Sequence, residues 1–240
     1  MIDAGPLKHL AEDLFQKGVA AGNTMPMLSE RLIHFSNKDN GGWYSETFKH
    51  LLSELIMAYG MFGVALKTSD VTSRLAKIPL ISWRARNLLE LCVWTVYCAY
   101  SEKNTRTFYD DKGRDVSDLF KALTVLTTKF ADPDAYVTVL AEAKKRLHER
   151  AAELGMSDVD KNFTPVHKAA LMLGWNDFGG INKLLSKFTH PTAMIVLAGL
   201  TDPQDIEDFG SMTIVVVVPF FLTAMLELES FLAQFQTPLR

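Results

Sequence analysis

From Leu88 to Tyr100 the chain carries a single charge, Glu90, in the run Leu-Leu-Glu-Leu-Cys-Val-Trp-Thr-Val-Tyr-Cys-Ala-Tyr. A helix without a polar face has to be surrounded by other elements, so this segment is expected at the centre of a helical bundle. A carboxylate in such a place needs a partner or a raised pKa. Arg86 stands four residues earlier, the spacing at which two side chains meet on one helix face. Arg86 and Glu90 are therefore expected to form an interior polar pair within an aromatic stripe of Trp83, Trp94 and Tyr97.

Elsewhere apolar residues recur at helical spacing and strict alternation is nearly absent, which makes the chain all-α. Val215 to Val218 alone would read as a strand, but the continuation into Thr223-Ala224-Met225-Leu226 favours a helix, kinked or restarted near Pro219. The expected helices are 6–21, 43–67, 80–101, 115–130, 132–154 and 181–189, then one from Pro191 to Leu200. Asn40-Gly41-Gly42 and Asp110-Asp111-Lys112-Gly113 read as turns, and Pro79 precedes the central helix. Pro165, Gly174 and Gly179-Gly180 break the stretch after Gly155, and Gly210 separates the last segments. Pro191 at a first helical position makes His190 the expected N-cap of that helix. With no repeat and no long linker, residues 1–240 read as one multi-helix bundle around a central apolar helix.

The chain has 240 residues, 48% of them hydrophobic, enough for a sizeable core. A net charge of −3 gives no general attraction to nucleic acid, although Lys144-Lys145-Arg146 leaves a local contact open. Cys92 and Cys98, six apart, fall on different faces of one helix and are not expected to bridge. Met1 to Pro6 lacks a basic region followed by an apolar core. Together these features point to the cytoplasm, most simply of a bacterium. The apolar run Met212 to Leu226 covers about 22 Å against a hydrocarbon layer of about 30 Å, and its flanks are acidic. It is expected to be a core helix, with no membrane contact.

A di-iron carboxylate bundle needs Glu-x-x-His spacing, which the chain lacks. Glu46, His50 and Glu54 share a face opposite the Phe48, Leu51, Leu55, Phe62 stripe and are expected to face water. Asp202, Asp205, Glu207 and Asp208, like Asp110, Asp111 and Asp115, lack the calcium-loop pattern, and helix capping accounts for them. Glycine-rich phosphate loops, nucleophile elbows and zinc-ligand pairs are absent, so no metal or cofactor is expected. The remaining candidates are Arg86, Glu90 and His190, the last held by Pro191 in Ser186-Lys187-Phe188-Thr189-His190-Pro191. Converging in a core, they would bind an anion or pass a proton. Alternatively, a buried ion pair and a capping histidine would only fix which helices pack together.

At these residues the chain resembles a widespread bacterial all-helical domain of unknown function. The likeness rests on Arg86-x-x-x-Glu90, on Phe108-Tyr109-Asp110, and on Ser186-x-x-x-His190-Pro191, and it covers about residues 82–193. It implies a helical bundle and no particular activity. More distantly the chain is similar to HEPN-type helical domains, found in toxin and phage-defence systems. Their nuclease members carry Arg-x4–6-His. Here Arg31 and His34 are three apart, Arg146 and His148 two apart, and no arginine precedes His190 at that spacing. The leading expectation is a binding or regulatory module, in bacterial stress or defence, for a protein or a small anionic ligand. The alternative is a nuclease-like or other hydrolytic enzyme using His190 with Arg86 and Glu90. Trp43, Tyr44 and Trp175, read as exposed, suggest a homodimer.

Overall fold

The computed structural model describes residues 5–39, 42–67, 74–127, 133–153, 164–190 and 203–235, and among these residues all regular structure is α-helix. In chain order the helices are α1 (Gly5–Gly22), α2 (Met25–Lys38), α3 (Trp43–Lys67), α4 (Arg74–Tyr100) and α5 (Glu102–Thr127). They continue with α6 (Pro133–Glu153), α7 (Val166–Met172), α8 (Phe178–Thr189) and α9 (Pro203–Ala233). Helix α4 is packed along most of its surface, touching α3, α5, α7, α8 and α9, while Trp83 and the Arg86 and Glu90 side chains reach solvent along one seam. Ile81, Ala85, Leu88, Leu89, Cys92, Val93 and Cys98 are shut away from solvent, and both cysteines are free thiols. This is the expected bundle around a central apolar helix.

Helix α3 lays its Phe48, Leu51, Leu52, Leu55, Tyr59, Phe62 stripe against this core. On the other side α9 packs along α4 and α1. There the Tyr59 hydroxyl donates to the Phe15 carbonyl at 2.7 Å and occupies the space a Cβ on Gly18 would need. Glycine is required at that position by close approach rather than by backbone angle. By contrast, among the described residues α6 packs substantially on α5 alone, and most of its side chains are exposed.

Several element boundaries differ from the sequence expectation. Helix α2 lay unrecognised, although Leu28, Leu32 and Phe35 form its buried stripe. Pro79 and Pro219 sit inside α4 and α9. Each proline removes one i to i−4 hydrogen bond, at about 3 kcal/mol; Ile78 and Ile81 are buried on either side of Pro79, and Val217, Val218 and Phe221 around Pro219. Residues 110–113 are not a turn but the middle of α5, where Tyr109 is buried and Asp110 pairs with Arg106 one turn earlier. Because α9 continues through Gly210 and Pro219, its 31 residues span about 46 Å, and length does not exclude a membrane span. Part of it, 44% of its most apolar window, is buried within the fold. The helix expected over 191–200 lies outside the described residues, as does Asp202. Trp43, Tyr44 and Trp175 are half-buried, not exposed: Trp43 meets Tyr44, Tyr109 and the Arg106 guanidinium, and Trp175 meets Phe220. The aromatic surface from which a homodimer was expected is thus largely used within the chain.

Candidate functional site

Where α3, α4 and α5 meet, their side chains leave an open cavity of about 500 Å³. Each helix supplies a ridge, because residues three and four apart lie above one another. From α3, Thr47 and Leu51 point down and are buried, while Glu46, His50 and Glu54 stand along the rim. Leu91 and Trp94 of α4 form the floor, and α5 adds Phe108, Tyr109, Asp111 and Asp115. The Trp94 and Phe108 rings lie 4.9 Å apart, tilted, with Tyr97 edge-on to Trp94 at 5.9 Å. The result is an aromatic floor bordered by four carboxylates and one histidine. His50 Nε2 lies 3.7 Å from Glu46 Oε1.

Asp111 is only 6% exposed. Its Oδ2 accepts the Thr164 backbone N–H at 3.3 Å, and its Oδ1 has no hydrogen-bond partner. Burial pushes its pKa up to about 6, helped by Asp115 and Asp110 and opposed by the Thr164 N–H and Arg114. Neighbouring Asp110 points elsewhere, 3.2 Å from Arg106 Nε; burial raises its pKa and Arg106 counters the rise. A buried carboxylate oxygen left without a donor costs free energy, so a native structure that keeps one calls for a reason.

The residues singled out from sequence lie elsewhere. Arg86 Nε meets Glu90 Oε1 at 2.9 Å and also Asn182 Oδ1 of α8 at 3.0 Å. The pair exists, but its side chains are 32% and 28% exposed, so it is not the interior cluster expected. The lone charge in the apolar run marks the seam where α4 meets water beside α8. His190 is exposed and ends α8, with extended backbone angles of −96° and 153°. Asn182 and His190 are eight residues apart along α8, about 12 Å. Phe188 and Leu184 lie beside Ile78, so the end of α8 nearest His190 runs toward the start of α4, away from Glu90. Arg86 and Glu90 are brought together; His190 is not placed with them.

Glu46, His50 and Glu54 do lie on a solvent-facing side of α3, as expected, and the groove escapes a sequence reading because Asp110 and Asp111 read as a turn. The available signal was Asp111 and Asp115 at i, i+4 following Phe108, facing a similarly spaced acidic row on α3. Among the described residues no group of three or more His, Cys, Asp or Glu side chains is placed to hold a metal ion. The rim's chemistry is an apolar, aromatic enclosure with negative edges. Compared with known proteins, the chain matches no family model, no curated protein and no solved structure.

Proposed function

We propose that this protein is a soluble, cytoplasmic binding module, and that the cavity between α3, α4 and α5 is where it takes its ligand. The observation that carries the reading is an aromatic cavity of about 500 Å³ left open at a junction of three otherwise close-packed helices. Two free, fully buried thiols on α4 fit a reducing compartment. The hydrolytic alternative needs His190 beside Arg86 and Glu90; it is less favoured here because Arg86 meets α8 at Asn182, about two turns before His190. A place in bacterial stress or defence rests on the family resemblance and belongs to the same proposal.

The test is titration with a neutral, environment-sensitive apolar dye. Saturable, single-site enhancement is expected, weakened about tenfold by Leu91→Trp, which fills the floor with a larger ring. Equal dye affinity in parent and variant, with both folded by circular dichroism, would place binding elsewhere and overturn the reading.

A further inference from the structure

Asp111 ties α5 to the residues that lead into α7, a contact that the binding reading does not use. We infer that Asp111 is a pH-controlled latch between α5 and this stretch, closed when acidification protonates its carboxyl and loosened when that carboxyl ionises.

The geometry around the tie carries it. Thr164 stands two residues before α7; its backbone N–H donates to Asp111 Oδ2 at 3.3 Å, and its side chain is within hydrogen-bonding reach of the Tyr97 hydroxyl of α4. The Asp111 side chain is 6% exposed, and its Oδ1 is shut off from water without a donor. A negative charge there has one hydrogen bond to a neutral group and almost no hydration. Like charge stands beside it on its own helix, Asp110 one residue before and Asp115 one turn after; Arg114 opposes them but also pairs with Asp118 at 3.7 Å. From α4 the facing titratable groups are Tyr97 and Cys98. Helix α3 presents Glu46, His50 and Glu54 across the cavity, and His167 and Lys168 follow Thr164 on α7. A neutral carboxyl keeps the Thr164 bond and avoids the buried charge, whereas an ionised one regains hydration only if α5 and residue 164 part. In accord with this, burial raises the pKa to about 6. The closed contact holds the proton more tightly than the open one, so it is strongest below about pH 4 and weakens as pH rises through about 6.

Amide hydrogen exchange followed by NMR reads the latch at Thr164 itself. Corrected for the intrinsic pH dependence of exchange, the protection of the Thr164 N–H is expected to fall about tenfold or more between pH 4.5 and pH 7. The amides of Cys92 and Val93 in the core of α4 should stay better protected than Thr164 at both pH values, which marks a local opening. Asp111→Asn keeps an acceptor for the Thr164 N–H but cannot ionise, and its Thr164 protection should be flat over the same range. Should that variant not fold, Asp115→Asn removes a neighbouring like charge and is expected to move the midpoint of the fall to lower pH. Protection independent of pH in the parent, the same fall in Asp111→Asn, or an unmoved midpoint in Asp115→Asn would each overturn the latch. So would α4 core amides no better protected than Thr164, because the molecule would then be opening as a whole.

Discussion

At the scale of single residues, Asp111 is the most consequential side chain and has a measurable effect on stability. Its pKa is pushed up to about 6, above the ordinary carboxylate value, so the native chain holds a proton that the unfolded chain has released between about pH 4 and 6. Stability attributable to this group is therefore present at low pH and lost as pH rises through 6, on the order of 2–3 kcal/mol. Asp111→Asn should raise the urea midpoint above the parent's at pH 8 and leave it nearly equal at pH 4. A lower midpoint for the variant at pH 8 would show that the ionised carboxylate has a stabilising partner. Glu90 should behave mildly: a pair with both side chains about a third exposed contributes about 1 kcal/mol or less, and Glu90→Gln should shift the midpoint only slightly. A loss of several kcal/mol would mean that the pair is desolvated after all. Gly18→Ala should cost about 1–3 kcal/mol, because its methyl group needs the space of the Tyr59 hydroxyl; Tyr59→Phe in the same chain should recover part of that loss.

Among the helices, the legible ones have long, regular apolar stripes. The α3 boundaries coincide with the sequence expectation, and α6 differs by one residue at each end, because nothing in those segments competes with helical periodicity. Helix α5 is expected only from residue 115, after the turn signal Asp-Asp-Lys-Gly, yet it runs from Glu102 because packing of Tyr109 against the core overrides that local signal. Helix α2 is hard to read because its buried stripe is only Leu28, Leu32 and Phe35, while Met27 and Ile33 lie exposed off that stripe and blur the period. The groove was hidden for a different reason. Periodicity shows which residues share a helix face, but not that Trp94 and Phe108 on neighbouring helices rise beside Glu46 and Glu54. The same view of packing predicts uneven protection. Since α6 packs substantially on α5 alone among the described residues, its amides should exchange with deuterium far faster than those of α4. Equal protection in the two helices would show a further partner covering α6.

For the whole molecule, the all-α class and the central helix were readable, whereas solvent exposure of the polar pair was not. A side chain's surroundings depend on elements distant in sequence: Asn182 meets Arg86 across a separation that no local pattern records. Helix α9 raises the same issue on a larger scale. Its length and composition would suit a bilayer, yet Val217, Val218, Phe221, Ala224, Leu228 and Leu232 are fully buried or nearly so. With that face occupied, the purified chain should stay in solution without detergent and sediment away from floated phosphatidylcholine vesicles. Quantitative flotation would assign α9 to the membrane. The closeness of α4 and α9 also has a consequence during synthesis. Helix α4 ends at Tyr100 and α9 begins at Pro203, so the most enclosed helix leaves the ribosome roughly 100 residues before its principal neighbour. At about 5–20 residues per second, its apolar surface stays incompletely covered for roughly 5–20 s. A nascent chain in that interval is a natural client for a chaperone that recognises apolar segments.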